Sequence, residues 1–384
     1  NCTQLHTVDF ENNSQLTTIG SEAFSGSNNM RFSKTRLETN ALTYIGSKAF
    51  YGTAIRRLAL TCHQSAVQSG SFTGASQLEY LDLRSANGSA SVTRTQAGLP
   101  IHTLVFTTAG NTMSGNDENN VVRFSGSDGT CQNLVLYDLK KDEKGNYTLH
   151  GISIPTAEDK EGTIDGTFKA VKAIFNRTFN KGYSTLCLPY PATVPEGMQV
   201  YRFTERSGSN GDYTYTFTSA NTLEANVPYL VLCSQDNIKI EEVTNVEVKA
   251  AKRYTIGDEL ATDVTSDIFA GTLGTLDHYD ALGHDIYTLN ATKQQWLRIT
   301  DLNGTINSNA FVAPFRAFFT DTTIAGAKAV NFTTEDNVTN IETFATKVST
   351  NPTAIYTIDG RKVNNTRSLA KGLYIIGGRK VIIQ

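Results

Sequence analysis

"IGSEAFSG", Ile19 to Gly26, returns as "IGSKAFYG" at Ile45 to Gly52, 26 residues later and with six of eight letters unchanged. A third copy, "VQSGSFTG" from Val67, keeps Phe72 and Gly74 in place, and Val92 to Ala97 is a worn fourth. Strand-like segments alternate with these copies: "LHTVDF" from Leu5, "MRFSKT" from Met30, "IRRLAL" from Ile55, "LEYLDL" from Leu78 and "IHTLVF" from Ile101. Their starts are 25, 25, 23 and 23 residues apart. Apolar residues on one such turn have nothing to cover them, so the turns must stack. In "IRRLAL" the residues Ile55, Leu58 and Leu60 are predicted to point inward and Arg56, Arg57 and Ala59 outward, from parallel strands about 4.8 Å apart. The motif Phe fills the return leg, where full burial is worth about 1.5–3 kcal/mol, and the glycines allow backbone angles that other residues resist. Phe24, Phe50 and Phe72 are therefore expected at equivalent buried positions on successive turns.

The spacing falls within the range of leucine-rich repeats. The run "LTTIGSEAFSG" followed by "LTYIGSKAFYG", together with "IRRLAL" and "LEYLDL", resembles the BspA-like leucine-rich repeats of surface proteins from Bacteroidota and some protozoa, over about residues 1–110. That family often carries C-x-x-L before the strand, which "NCTQL" matches at Cys2 and Leu5, so the chain is expected to open in mid-repeat. The resemblance implies a solenoid over residues 1–130 and recognition along its strand face. "MRFSKT" departs from the pattern by carrying polar Ser33 and Thr35, which leaves its place in the stack open.

Beyond Phe106 the spacing breaks. From residue 131 to about 340 the chain shows β-type runs such as "STLCLPYPATV" and "VPYLVLCS", with turn signals at Gly145 and Gly211, which predict an antiparallel β-sandwich. Residues 345–384 hold two hairpin signals, Asp359-Gly360 and Gly377-Gly378, between short apolar strands. "YTIDGRKV" at Tyr356 and "KGLYII" at Lys371 resemble the C-terminal sorting domain of the type IX secretion system, which implies export and surface attachment; a plain terminal β unit is the alternative. The expected fold class is thus mixed: solenoid, β-sandwich and a small C-terminal β unit.

With 39% hydrophobic residues, 18% charged residues and a formal net charge of −3, the chain lacks the basic footprint of a general nucleic-acid binder. No apolar run reaches the roughly 18 residues of a membrane-spanning helix. Five cysteines, Cys2, Cys62, Cys131, Cys187 and Cys233, lack C-x-x-C spacing, which signals neither a disulfide framework nor zinc. Cys187 and Cys233 can face each other between strands, and whether they pair is left open.

Nucleophile-elbow, phosphate-loop, dinucleotide and H-E-x-x-H motifs are all missing, so no catalytic residue and no cofactor is expected. "DHYDALGHD", with Asp277, His278, Asp280, His284 and Asp285, and "GNDENN" at Gly115 to Asn120 hold metal-ligand types without ligand spacing, and "AEDKEGTIDG" reads as an exposed linker; no metal is expected. N-x-[ST] triplets such as those at Asn87 and Asn146 arise readily in so Asn- and Thr-rich a chain.

The surviving candidate is the outward row of the stacked strands: Arg56, Arg57, Glu79, Tyr80, Asp82 and His102, with His6 and Asp9 at its start. Mixed charge with an aromatic suits contact with a host extracellular protein or glycan. The expected function is non-covalent binding or adhesion by a secreted or outer-surface protein. The alternatives are a glycan-acting hydrolase or accessory carbohydrate-binding protein with its site in the β-domain, and an inert spacer.

Overall fold

The computed structural model describes residues 2–335 apart from 11–14, 34–35, 89–91, 110–112, 114–118, 140–150, 156–164, 210–211, 251–252, 257–258, 263–267, 278–284, 300–310 and five positions between 322 and 328. Beyond residue 335 it describes four short strands within 355–383. No helix among the described residues is long and apolar enough to cross a membrane.

The motif copies fold into turns that lie on one another. Strands β1 (Thr7–Val8) and β3 (Arg31–Phe32) pair in parallel, as do β2 (Thr18–Ile19) and β5 (Tyr44–Ile45), and Ile45 bridges on to Val67. Backbone hydrogen bonds tie successive return legs: Glu22 N–H donates to Ser47 O at 3.0 Å, Lys48 N–H to Gly70 O at 2.8 Å and Gly70 N–H to Gln96 O at 2.8 Å. The closing glycines of the motif, Gly26, Gly52 and Gly74, all sit at φ between 69° and 77°, the left-handed region that a Cβ disfavours. The Phe24 and Phe50 rings stack at 5.9 Å and 10°, and Phe50 and Phe72 at 5.5 Å and 19°. Phe50 and Phe72 are buried as expected, while Phe24, on the first copy, is half-buried.

The main sheet has eight strands. Strands β4 (Arg36–Leu37), β6 (Arg57–Leu60), β7 (Tyr80–Asp82), β8 (Leu104–Thr108) and β9 (Val121–Ser125) run parallel. Strand β10 (Asp128–Tyr137) then pairs antiparallel with β9, β11 (Phe168–Asn176) parallel with β10, and β16 (Val243–Val248) antiparallel with β11. The sheet therefore crosses residue 130 without a break. "MRFSKT" is where the row shifts: β3 pairs with β1, and the main sheet starts only at β4.

Alternate residues of this sheet feed two cores. Leu58, Leu60, Leu81, Val105 and Val121 pack with Phe50 and Phe72 inside the stacked turns. Tyr80, Leu104, Phe106, Val122 and Phe124 point the other way and pack with Phe168, Phe175, Leu186 and Leu188 from further along the chain. A parallel sheet covered on both faces carries apolar side chains on both.

From residue 182 on, strands β12 (Gly182–Leu186), β13 (Met198–Ser209), β14 (Asp212–Ala220), β15 (Tyr229–Cys233), β17 (Arg253–Ile256), β18 (Glu259–Thr262) and β19 (Phe269–Thr272) share one ladder with four later strands. The latter are β21 (Ile286–Asn290), β22 (Gln295–Arg298), β24 (Arg316–Thr320) and β25 (Ala329–Thr334), while β20 (Leu276–Asp277) and β23 (Phe311–Val312) pair separately. Where two facing sheets are expected, one eleven-stranded sheet curls until its β12 edge meets β24: Cys187 N–H donates to Phe315 O at 3.2 Å and Ala317 N–H to Thr185 Oγ1 at 3.1 Å. Aromatic rings fill the curl, with Tyr215 on Phe319 at 3.7 Å and Trp296 edge-on to Phe319 at 4.7 Å. The β13–β14 hairpin closes around residues 210–211, where Gly211 signals a turn; the Gly145 signal lies outside the described residues. At the C-terminal end β26 (Ile355–Thr357), β27 (Lys362–Val363), β28 (Gly372–Ile376) and β29 (Arg379–Ile383) form an antiparallel sheet, both hairpin signals lying between paired strands.

Candidate functional site

The outward row of the repeat strands is for the most part not open. Tyr80 is only 2% exposed and stands edge-on to Phe106, with ring centroids 5.9 Å apart. Glu79 is buried against Gly274, where any Cβ would overlap its carboxylate. Arg56 is buried beside it and donates from Nη1 to Thr275 O at 2.9 Å. Asp82 is buried in a two-pronged pair with Arg84, whose Nε donates to Oδ1 at 3.0 Å and Nη2 to Oδ2 at 2.8 Å. The same guanidinium lies over the Phe124 ring at 4.7 Å and donates to Asp165 O at 3.1 Å. These four positions are corrected from exposed contacts to parts of the joint between the stacked turns and the curled sheet. The physical cause is the apolar character of Leu104, Phe106, Val122 and Phe124 on that face, which the second half of the chain covers.

His102 is corrected for a different reason. Tyr80 pairs with Leu104 and Asp82 with Phe106, an offset of 24 where the motif starts suggest 23. Two residues back along that register His102 is level with Leu78, in the inward row, and is 1% exposed, whereas Ile101 is 47% exposed. A slip of one residue turns every side chain of a strand to the other face.

Of the six predicted residues only Arg57 stays half-exposed. Around it the open part of the face holds residues that the sequence reading passed over. Arg36 of β4, whose register partner is Ala59, is half-exposed and donates from Nη1 to Ser85 Oγ at 2.9 Å. Arg31 of β3 is half-exposed, and Ser33 donates to Asp9 Oδ1 at 2.6 Å; Phe32 of the same strand packs inward, its ring 6.1 Å from those of Phe24 and Phe50. A signal for this shift exists in the sequence: outward positions are Arg36, Arg57 and Ala59 on early strands but Leu104 and Phe106 on a later one.

Several buried or half-buried ionic groups elsewhere have structural partners. Asp138 binds two guanidiniums at the joint, Arg316 Nη2 at 2.7 Å and Arg177 Nε at 3.7 Å; burial, then the nearby Arg316 charge, pulls Arg177 below its ordinary range. Asp285 pairs with Arg298 at 2.6 Å and buried Asp321 with Arg206 at 3.0 Å. Tyr215 donates to Asp321 Oδ2 at 3.2 Å, and burial followed by that carboxylate raises its phenol above the usual range. Between Asp277 and Asp285 the "DHYDALGHD" run lies outside the described residues, as do most of "GNDENN" and of "AEDKEGTIDG". Asn120, which is described, is buried and pins β10 by accepting from Val135 N–H at 2.8 Å. Among the described residues no group of three or more His, Cys, Asp or Glu is gathered as metal ligands are.

All five cysteines are free thiols, so Cys187 and Cys233 are both buried and unlinked. Burial pushes the Cys62 and Cys131 thiols up to about 12.

No curated protein and no solved structure matches the chain. The geometry of the stacked turns agrees with a family likeness: residues 1–94 match the family described as BspA type Leucine rich repeat region, in six copies.

Proposed function

We propose that this chain is a secreted or surface-displayed binding protein that holds an extracellular partner, a host protein or glycan, without forming a covalent bond. BspA-type repeat proteins are generally surface adhesion or binding proteins, and the match over residues 1–94 supports that reading here. We read the stacked turns as a solenoid, the curled sheet as its rigid buttress, and the C-terminal four-stranded sheet as an export and attachment unit. The observation that carries the proposal is the division of the strand face: its later rungs are closed by the second half of the chain, while Arg31, Arg36 and Arg57 remain half-exposed on the early ones. Arginine joins a planar donor group to an apolar stem, which suits it to anchor an interface.

The test is a binding screen of the chain against immobilised extracellular-matrix proteins and glycans, repeated with an Arg36→Ala, Arg57→Ala double variant. The expected result is a ligand whose affinity falls at least about tenfold, or about 1.4 kcal/mol, in that variant. An affinity unchanged by the double substitution places the contact away from the early strand face.

A further inference from the structure

Four large apolar or aromatic side chains stand out as exposed among the described residues, and two of them, Tyr44 (42%) and Tyr51 (48%), belong to a single repeat turn. They lie on the return-leg side of the stack, away from the strand face considered above. Tyr44 is on β5, paired with Thr18 of the preceding turn, while the bridge from Ile45 to Val67 sets Ala66 beside it on the following one. Tyr51 corresponds to Ser25 on the preceding turn and to Thr73 on the following one. The architecture therefore does not require an aromatic at either position, since neighbouring turns build the same bend from small or polar residues.

The Tyr51 ring is also held in place. It rests against Gly74, whose φ of +77° and missing side chain make the seat: a Cβ there would overlap the ring. An exposed ring fixed by its own fold loses little freedom when a ligand stacks on it. The same side of the stack also carries hydroxyls: Thr18 is level with Tyr44, and Thr17, Thr43, Ser47 and Ser69 are exposed on the same three turns. Lys48 is exposed on the same turn, and Glu22 holds the equivalent position on the adjacent one, so the patch carries no net charge from this pair. A protein-docking hot spot needs apolar anchors ringed by contacts that exclude water. Two exposed rings on a side that also presents hydroxyls fit a different partner. The polarised C–H groups on the face of a sugar ring meet the negative face of an aromatic ring, and its hydroxyls exchange hydrogen bonds with Ser and Thr.

We infer that the Tyr44–Tyr51 turn is a binding site for a neutral glycan, with Tyr51 on its Gly74 seat as the main stacking platform. This site is separate from the strand face and does not depend on it.

The experiment titrates the full chain with neutral six-unit oligosaccharides of glucose, mannose, galactose and xylose, by calorimetry and by ligand-observed NMR. At least one oligosaccharide is expected to bind. Tyr51→Ala should weaken it about tenfold or more, Tyr44→Ala should weaken it less, and Tyr51→Trp should retain it within about threefold. Both alanine variants should melt like the parent, which separates a lost contact from a lost fold. Binding by no member of the panel would overturn the inference, as would equal affinity in the Tyr44→Ala, Tyr51→Ala double variant. So would inert sugars together with a matrix protein whose capture depends on Tyr51, since that result makes the turn a protein-docking surface.

Discussion

Arg57 and Tyr80 are register partners on adjacent parallel strands and point from the same face, yet one is half in water and the other is in a core. The change happens within one rung. On the early strands the outward side chains are Arg36, Arg57 and Ala59; from β7 on they become Tyr80, Leu104, Phe106, Val122 and Phe124. A face that presents four or five large apolar groups cannot stay in water, and the second half of the chain supplies the cover. The molecule thus uses one sheet in two ways, as a one-sided wall in the first turns and as a shared partition in the later ones. A recognition surface along the whole strand row is incompatible with that partition, and only the one-sided part remains open.

The largest effect expected from this comparison is at Phe106, which is buried and meets Tyr80, Phe124 and Phe168 at centroid distances of 5.9, 6.2 and 6.2 Å. Phe106→Ala should cost about 3–5 kcal/mol in denaturant unfolding, as a large cavity at a packed joint does. Phe50→Ala, in the core of the stacked turns, should cost a similar amount. Phe24→Ala should cost only about 1–2 kcal/mol, because a half-buried ring has less area to return to water. Equal losses at Phe24 and Phe50 would show that the first turn is as well covered as the one after it.

A second test uses two of the thiols with raised pKa values, one in each core that the main sheet feeds. An unfolded thiol ionises near 9, whereas in the fold Cys62 and Cys131 keep their protons to about 12. The folded state therefore binds the proton more tightly, and the stability this represents is complete below pH 9 and is lost as the pH rises toward 12. Each thiol should remove about 1.4 kcal/mol per pH unit in that window. Cys62→Ala and Cys131→Ala should each make the alkaline fall shallower, measured by melts from pH 8 to 10.5. Because one sheet joins the two cores, both thiols should also become open to alkylation at the same urea concentration. Labelling of Cys62 well before Cys131 would show that the stacked turns open on their own.

The stacked turns were legible because a repeat writes its inner fittings again and again: the Phe stack and the left-handed glycines follow from the motif alone. The antiparallel pairings β13–β14, β26–β27 and β28–β29 were legible because each pair of strands flanks a Gly-containing turn signal in the sequence. The site was much less so. The strand starts conceal the extra residue before Leu104, and that one residue moves His102 inside and Ile101 out. The cover over Glu79 and Arg56 comes from Gly274 and Thr275, some two hundred residues later, and no local pattern records such a contact. What the sequence did contain was the run "LVF" at Leu104 to Phe106, too apolar for a strand with one wet face.

The smallest effect is the one that decides whether the early face is open. Arg57→Ala removes a half-exposed side chain away from both cores, and such changes move stability by no more than about 0.5 kcal/mol. Tyr80→Ala, one rung further on, should cost several times as much, about 3 kcal/mol or more, because it empties a site in the partition. An Arg57→Ala, Tyr80→Ala double variant should therefore melt like Tyr80→Ala alone, and a loss of ligand affinity in it would not separate a lost contact from a disturbed partition. Arg57→Ala by itself is the informative change, read by thermal melting and by binding in the same preparation. A melting loss close to that of Tyr80→Ala would mean that Arg57 belongs to the covered part of the sheet, and the boundary between the two uses of the face would move back to β4.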